Sequence, residues 1–145
     1  MISDIDGIWH NGTYTTSLIR KEECVIDLSS FYTLNLTAFI EGLYYNGLNN
    51  MISDTVTVQL RSVTPPYNQV DIAKGILNSN GIGAFSFGNV TTGSPYYIVI
   101  KHRNSSETWS SSGVSFTSGV MSYNFSGSSG QAFGNNMQQI ETSPI

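Results

Sequence analysis

Hydrophobic and polar residues alternate in several short stretches of the chain after Phe31. The two clearest stretches are 32–41 and 54–61, in which every second residue is apolar. This period of two is typical of a strand that buries one face in a core. Further strands are predicted over 70–77, 84–87, 96–100, 108–110, 114–116 and 120–125, separated by segments rich in Gly, Ser, Asn and Pro.

The stretch 96–100 differs from the others because it is apolar at every position. It reads Tyr-Tyr-Ile-Val-Ile, the most strand-like pentamer of the chain. A strand without a polar face is expected in the middle of a sheet, where both of its faces are covered.

The pattern as a whole predicts an all-β fold. About seven short strands separated by turn residues are typical of an antiparallel β-sandwich, and no helix of ordinary length is needed after Phe31. We expect the sandwich to span residues 32–126. Residues 1–31 form an N-terminal extension or added strands, and residues 127–145 are a Gly/Ser/Asn-rich C-terminal segment with Phe133 and Met137 as anchors.

Composition narrows the classes of function. Charged residues make up 11% of the chain, whereas globular proteins average about 25%. This surface of neutral polar groups is typical of extracellular β-proteins. The net charge of −4 argues against sequence-independent nucleic-acid binding, which needs a basic surface. No apolar run approaches the length of about 20 residues that a membrane-spanning helix requires.

The residue types that carry catalysis are sparse. Two histidines are too few for most metal sites, the single Cys24 cannot form an internal disulfide, and there is no G-x-S-x-G motif. His102 is expected at a solvated strand end, between Lys101 and Arg103. Glu107 is expected to pair with one of these two cations. We therefore predict a protein that is not an enzyme and has no cofactor or metal.

Binding through aromatic side chains is a more credible activity. Tyr44, Tyr45, Tyr67 and Trp109 lie in or beside predicted loops, where rings can stack on sugar faces. Packing at the edge of the sandwich is the alternative role for Trp109. The segment 101–110 also places Arg103 and Glu107 near this tryptophan. The ligand-binding residues predicted from the sequence are Tyr44, Tyr45, Arg103, Glu107 and Trp109.

A longer pattern carries a resemblance to a known family. Residues 81–90 read Gly-Ile-Gly-Ala-Phe-Ser-Phe-Gly-Asn-Val and are followed by Gly93 and the pentamer 96–100. This resembles the paired strands of prealbumin-like or Ig-like sandwiches (Cna-B-like, carboxypeptidase-regulatory-like). In them, G-x-F-x-F-x-N-V leads through a glycine-containing turn to Y-x-I-x-V. Together with 39–42, 54–61, 101–104, 107–110 and 134–137, the pattern is similar to a module of large secreted bacterial surface proteins.

The resemblance covers about residues 34–137 and implies an extracellular, non-catalytic module. Its partners would be other domains or copies of a surface protein. Three hypotheses follow: a structural or adhesive module, a carbohydrate-binding module, and a subunit of an extracellular filament. In the third, residues 13–28 donate a strand to the open sheet edge of the next copy.

Overall fold

The computed structural model describes residues 31–137 of the 145-residue chain. The predicted extension up to residue 30 and the strand donor 13–28 lie outside these residues. Within them, the chain forms ten strands and three short 3₁₀ helices. The strands are β1 (Tyr32–Thr37), β2 (Tyr44–Tyr45), β3 (Asn50–Met51), β4 (Asp54–Ser62), β5 (Gln69–Leu77), β6 (Ile82–Phe87), β7 (Pro95–His102), β8 (Ser105–Trp109), β9 (Val114–Ser115) and β10 (Val120–Asn124). The 3₁₀ helices are Glu41–Leu43, Ser129–Gln131 and Phe133–Asn135.

The strands form two main sheets. The first has the order β10-β1-β6, and the second has the order β5-β4-β7-β8, with β9 also pairing with β7. β2 and β3 form a separate hairpin. The predicted all-β fold of antiparallel sheets is confirmed, with one addition. β1 and β10 run parallel, so that the first and last described strands lie side by side in the same direction.

Both main sheets contribute residues to one hydrophobic core. The alternating apolar residues of the predicted strands point into this core. They include Leu34, Leu36, Val56, Val58, Leu60, Phe85, Phe87, Ile98, Ile100 and Met121, each at most 5% exposed.

The prediction of a central strand over 96–100 is also confirmed. β7 lies between β4 and β8, and Ile98 and Ile100 point into the core. Val99 points to the opposite face of the sheet, yet it is 0% exposed and does not belong to the core cluster. Other side chains must therefore cover this outer face of the sheet around Val99.

β5 of the second sheet leads directly into β6 of the first sheet, and hydrogen bonds hold these two strands together at both of their ends. At the turn, the Asn78 carboxamide oxygen accepts hydrogen bonds from the backbone N–H groups of Asn80 and Ile82. At the other end, the carboxylate of Asp71 accepts from the N–H groups of Gly88 and Asn89 at 2.9 and 2.8 Å. These bonds hold the start of β5 against the end of β6.

The Gly/Ser-rich segment after β10 packs back onto the second sheet as far as the structure describes it. The Tyr123 hydroxyl donates to the carbonyl of Gln131 at 2.5 Å, and Ala132 forms an isolated β-bridge with Ser110. Ala132 is 1% exposed. This path brings the following residue, Phe133, to the outer face of β7.

Candidate functional site

The outer face of the second sheet carries the most chemically varied cluster among the described residues. The strand register places Gln59 of β4, Val99 of β7 and Trp109 of β8 side by side. In the next row, Arg61 of β4 lies opposite Tyr97 of β7. Residues paired in this way across antiparallel strands project from the same face of a sheet. We call this surface the outer face.

Four aromatic side chains on the outer face pack on one another, and we refer to them as the aromatic platform: Tyr67, Tyr97, Trp109 and Phe133. Tyr97 is at their centre, with ring centroids 5.8 Å from Trp109, 6.1 Å from Tyr67 and 6.3 Å from Phe133. Tyr67 and Trp109 also meet edge to face at 6.3 Å. Such tilted and edge-to-face pairs each contribute about 0.5–1.5 kcal/mol beyond area burial.

Arg61 ties the strand and loop residues of the platform together. Its guanidinium carbon lies 5.2 Å from the centre of the Trp109 ring, in a cation–π arrangement. The Gln59 carboxamide oxygen accepts hydrogen bonds from Nε and Nη2 of Arg61 at 3.0 and 2.8 Å. Nη1 donates to the backbone carbonyl of Tyr67 at 3.3 Å. The arginine therefore holds both the tryptophan ring and the loop that carries Tyr67.

Glu107 and Lys101 fix the other side of the tryptophan. Trp109 Nε1 donates to Glu107 Oε1 at 2.5 Å, and Lys101 Nζ lies 2.6 Å from Glu107 Oε2. The hydrogen bond from Lys101, supported by that from Trp109, holds the pKa of Glu107 below its ordinary value of 4.5 against the opposing effect of burial. The carboxylate is therefore ionised at neutral pH. Glu107 was expected to pair with either Arg103 or Lys101, and its partner is Lys101.

The platform covers Val99 but leaves ring surface in contact with solvent. Val99 is 0% exposed, whereas Phe133 is 59% and Tyr67 40% exposed. Trp109 and Tyr97 are half-buried. The same rings thus have a packing role on their inner side and an accessible outer side. Trp109 thus has the packing role considered from the sequence, and ligand contact stays a prediction.

Arg103 lies at the far end of β4, away from the platform. Its Nη2 is 2.6 Å from Asp54 Oδ2. Asp54 begins β4 and Arg61 lies seven residues further on, a distance of about 23 Å along a strand. The structure therefore does not bring Arg103 together with Trp109 and Glu107.

The expectation that His102 is solvated at a strand end is wrong. Its side chain is 1% exposed, and Nε2 lies 3.3 Å from Asp54 Oδ2. β7 continues to His102, so that the histidine keeps the alternation of Ile98 and Ile100 and points inward. The N–H of Thr55 is the main cause, with His102 and Arg103, of a lowered pKa at Asp54.

Tyr44 and Tyr45 lie in the β2–β3 hairpin, on the connection that leads to the Asp54 end of β4. Tyr44 is half-buried and its ring meets Phe39 edge to face at 5.0 Å. Tyr45 is 49% exposed. The five residues proposed from the sequence thus fall into two regions: Trp109 and Glu107 on the outer face, and Arg103, Tyr44 and Tyr45 toward the other end.

Sequence reasoning did not propose Arg61, Tyr97 or Phe133 as parts of a site, and it named Lys101 only within the segment 101–110 and as a possible partner of Glu107. Tyr97 and Lys101 share the parity of Val99 within β7, opposite to that of the core residues. That alternation could have identified Tyr97 and Lys101 as outward-facing residues of β7. Their neighbours on the outer face come from β4 and β8, and no local sequence pattern shows that these strands pair with β7.

Two further properties concern the part of the chain that the structure describes. Among residues 31–137, no group of three or more His, Cys, Asp or Glu side chains is placed to hold a metal ion. In the same residues, no helix has the length and apolar character required to cross a membrane.

Comparison with family models, with curated proteins and with solved structures gave no significant match to this chain. The prealbumin-like resemblance therefore remains a prediction from the sequence.

Proposed function

We propose that this chain is a non-catalytic binding module of an extracellular protein and that the aromatic platform is its carbohydrate-contact surface. The observation that carries the proposal is the arrangement of four rings on one sheet face, with Tyr67 and Phe133 40% and 59% exposed. Pyranose rings present apolar C–H faces that pack on aromatic rings. Their hydroxyl groups need hydrogen-bond partners at the rim of the same surface.

The polar groups around the platform suit this second requirement. Glu107 provides an acceptor, and Arg61 and Lys101 provide donors, on three neighbouring strands, while the buried Gln59 holds Arg61 in place. Their mutual hydrogen bonds fix the side chains before any ligand arrives. A preorganised surface loses less conformational entropy on binding than a mobile one.

Three of the four carboxyl groups in residues 31–137 are not suited to general acid catalysis at neutral pH. General acid catalysis at neutral pH requires a carboxyl group with a raised pKa. Asp54, Asp71 and Glu107 instead have lowered pKa values, because N–H groups or cations stabilise their ionised forms. The neutral polar composition is the support for an extracellular location.

The filament hypothesis rests on residues 13–28, which lie outside the described residues. It stays a prediction, and its test is deletion of the residues before Ser29. Deletion should abolish assembly and leave a folded monomer, whereas polymers that form unchanged would contradict it.

The carbohydrate proposal is tested by binding to a panel of immobilised polysaccharides, neutral and acidic. The variant is Tyr67→Asn, since Tyr67 has a left-handed backbone (φ 58°) that asparagine tolerates well. Loss of a central contact residue costs more than about 1 kcal/mol of binding energy, so we expect at least a roughly fivefold weaker Kd.

Tyr45→Asn is the matched control, because it removes a ring of similar exposure (49%) from the β2–β3 hairpin. It should bind as the wild type does. Absence of binding to every polysaccharide in the panel would overturn the proposal. So would equal weakening by the two substitutions.

A further inference from the structure

The outer face concentrates the positive charge of the described residues. Residues 31–137 contain four basic side chains and four acidic ones. Three of the four basic side chains (Arg61, Lys74 and Lys101) project from the outer face, whereas Glu107 is the one carboxylate among them. Three positive charges and one negative charge leave this face with a net charge of about +2, although the whole chain has −4.

The register places the cations in a row beside the aromatic platform. Thr57 of β4 pairs with Lys74 of β5 on one side and with Lys101 of β7 on the other. Neighbouring strands are about 4.8 Å apart, so the Cα atoms of the two lysines are separated by about 10 Å. Along β7, Lys101 follows Tyr97 by four residues, or about 13 Å. Rings and cations thus form one continuous strip of the length of a short oligosaccharide.

Lys74 is the member of this row whose charge is not balanced by any carboxylate of residues 31–137. Lys101 is paired with Glu107, and Arg61 is held by Gln59 and the carbonyl of Tyr67. Lys74 is exposed, and within residues 31–137 no carboxylate lies within ion-pair distance of it. The acidic residues Asp54 and Asp71 cannot neutralise the row, because both are bound to groups on the opposite side or at the edge of the sheet.

We propose that the ligand of the outer face is an acidic polysaccharide, with sugar ring faces on the aromatic platform and carboxylate groups at the row of Lys74 and Lys101. The inference rests on the proposed carbohydrate-binding function and names the class of sugar. Aromatic rings alone would suit a neutral glycan, and cations alone would suit any polyanion. The combination of both within one strip favours a polymer of uronic acids.

The test uses the full chain and two polymers of the same backbone, polygalacturonate and its fully methyl-esterified form, of which only the first is charged. We expect the acid form to bind about tenfold more tightly, since contacts of its carboxylates with Lys74 and Lys101, each of an exposed kind, add to the same ring contacts. Raising the salt concentration to about 1 M should remove most of this difference, because the screening length falls to about 3 Å.

The variant Lys74→Gln should weaken binding of the acid form about two- to fivefold and leave binding of the ester unchanged. Arg103→Gln is the matched control, since it removes an exposed cation at the other end of β4, and it should change neither. Equal affinity of the two polymers, both reduced by Tyr67→Asn, would overturn the acidic specificity and leave the carbohydrate function standing. Failure to bind either polymer would also overturn the acidic specificity. Binding to the neutral polysaccharides of the panel would then test the broader proposal that the outer face binds carbohydrate.

Two other polyanions separate sugar recognition from general attraction to negative charge. Poly-glutamate and single-stranded poly(dT) should compete more weakly than polygalacturonate of equal charge. Equal competition by poly-glutamate would assign the face to an acidic protein segment. Equal competition by poly(dT) would assign it to single-stranded nucleic acid, which also stacks on aromatic rings. Either result contradicts the inference.

Discussion

Replacement of Trp109 by alanine tests whether the platform is a packed, rigid surface. The substitution removes the ring contacts with Tyr97 and Tyr67, the cation–π contact with Arg61 and the cover over Val99. Each ring pair contributes about 0.5–1.5 kcal/mol and the cation–π contact about 0.5–1 kcal/mol. We expect the free energy of unfolding to fall by about 2–4 kcal/mol, which is near the lower end of the range for fully buried Trp→Ala changes because this ring is half-buried.

The measurement is equilibrium unfolding in urea followed by far-UV circular dichroism. Fluorescence is unsuitable because the substitution removes one of the two tryptophans of the chain. Trp109→Phe keeps a ring against Tyr97 but loses the hydrogen bond to Glu107, so its loss should be less than half that of the alanine variant. Tyr45→Ala is the control for an exposed ring and should change stability by less than about 0.5 kcal/mol.

The slope of the free energy of unfolding against urea concentration should be the same in all three variants as in the wild type, since the fold is the same. A loss below about 1 kcal/mol for Trp109→Ala would refute the packing described for the platform. A loss of unfolding free energy equal to that of Tyr45→Ala would refute it as well, because Trp109 would then contribute no more to stability than an exposed ring.

Two further predictions concern polar groups that hold the sheets together. Ser110→Ala removes the hydroxyl that accepts from the N–H of Ile98 at 3.0 Å in a fully buried position, and should lower the free energy of unfolding in urea by about 1–3 kcal/mol. Ser106→Ala, at an exposed position of the preceding strand β8, should be neutral; equal effects of the two substitutions would contradict the role given to the Ser110 hydroxyl. At Asp71, burial opposes ionisation, but the N–H groups that the carboxylate accepts outweigh it and hold the pKa below 3.8. A lowered pKa in the folded state adds stability that is present above about pH 4 and lost as the pH falls further. Asp71→Asn should therefore lower the urea midpoint of unfolding at neutral pH and make this midpoint decrease less as the pH is lowered below about 4. A midpoint that falls with pH in parallel with that of the wild type would argue against this role.

Most of the fold could be predicted because its strands have two distinct faces. The expected strands 54–61 and 70–77 agree with β4 and β5 to within one residue at each end. In β4 the contrast between Val56, Val58 and Leu60 and the polar residues between them fixes both the period and the buried face. The parallel pairing of β1 with β10 could not be predicted in this way, because periodicity describes a strand and not its neighbour.

The candidate site was only partly predictable for the same reason. Trp109 and Glu107 are two residues apart on one strand, so their association follows from sequence. Arg61 and Tyr97 reach Trp109 through strand pairings, and Phe133 reaches Tyr97 through the path of the chain after β10. Arg103 is close to Trp109 in sequence but belongs to the other end of β4, since the chain reverses between β7 and β8.

Contact between the outer face and sugar can be observed directly by titrating the isotope-labelled full chain with an oligogalacturonate and following the NMR spectrum. We expect chemical-shift changes to concentrate on β4, β7 and β8 around Arg61 and Lys101, and on the indole N–H of Trp109, whose signal is assigned with Trp109→Phe. The backbone signal of Tyr45 in the β2–β3 hairpin should not move. Shift changes centred on that hairpin, or an indole signal of Trp109 that stays in place at saturation, would show that the outer face does not contact sugar.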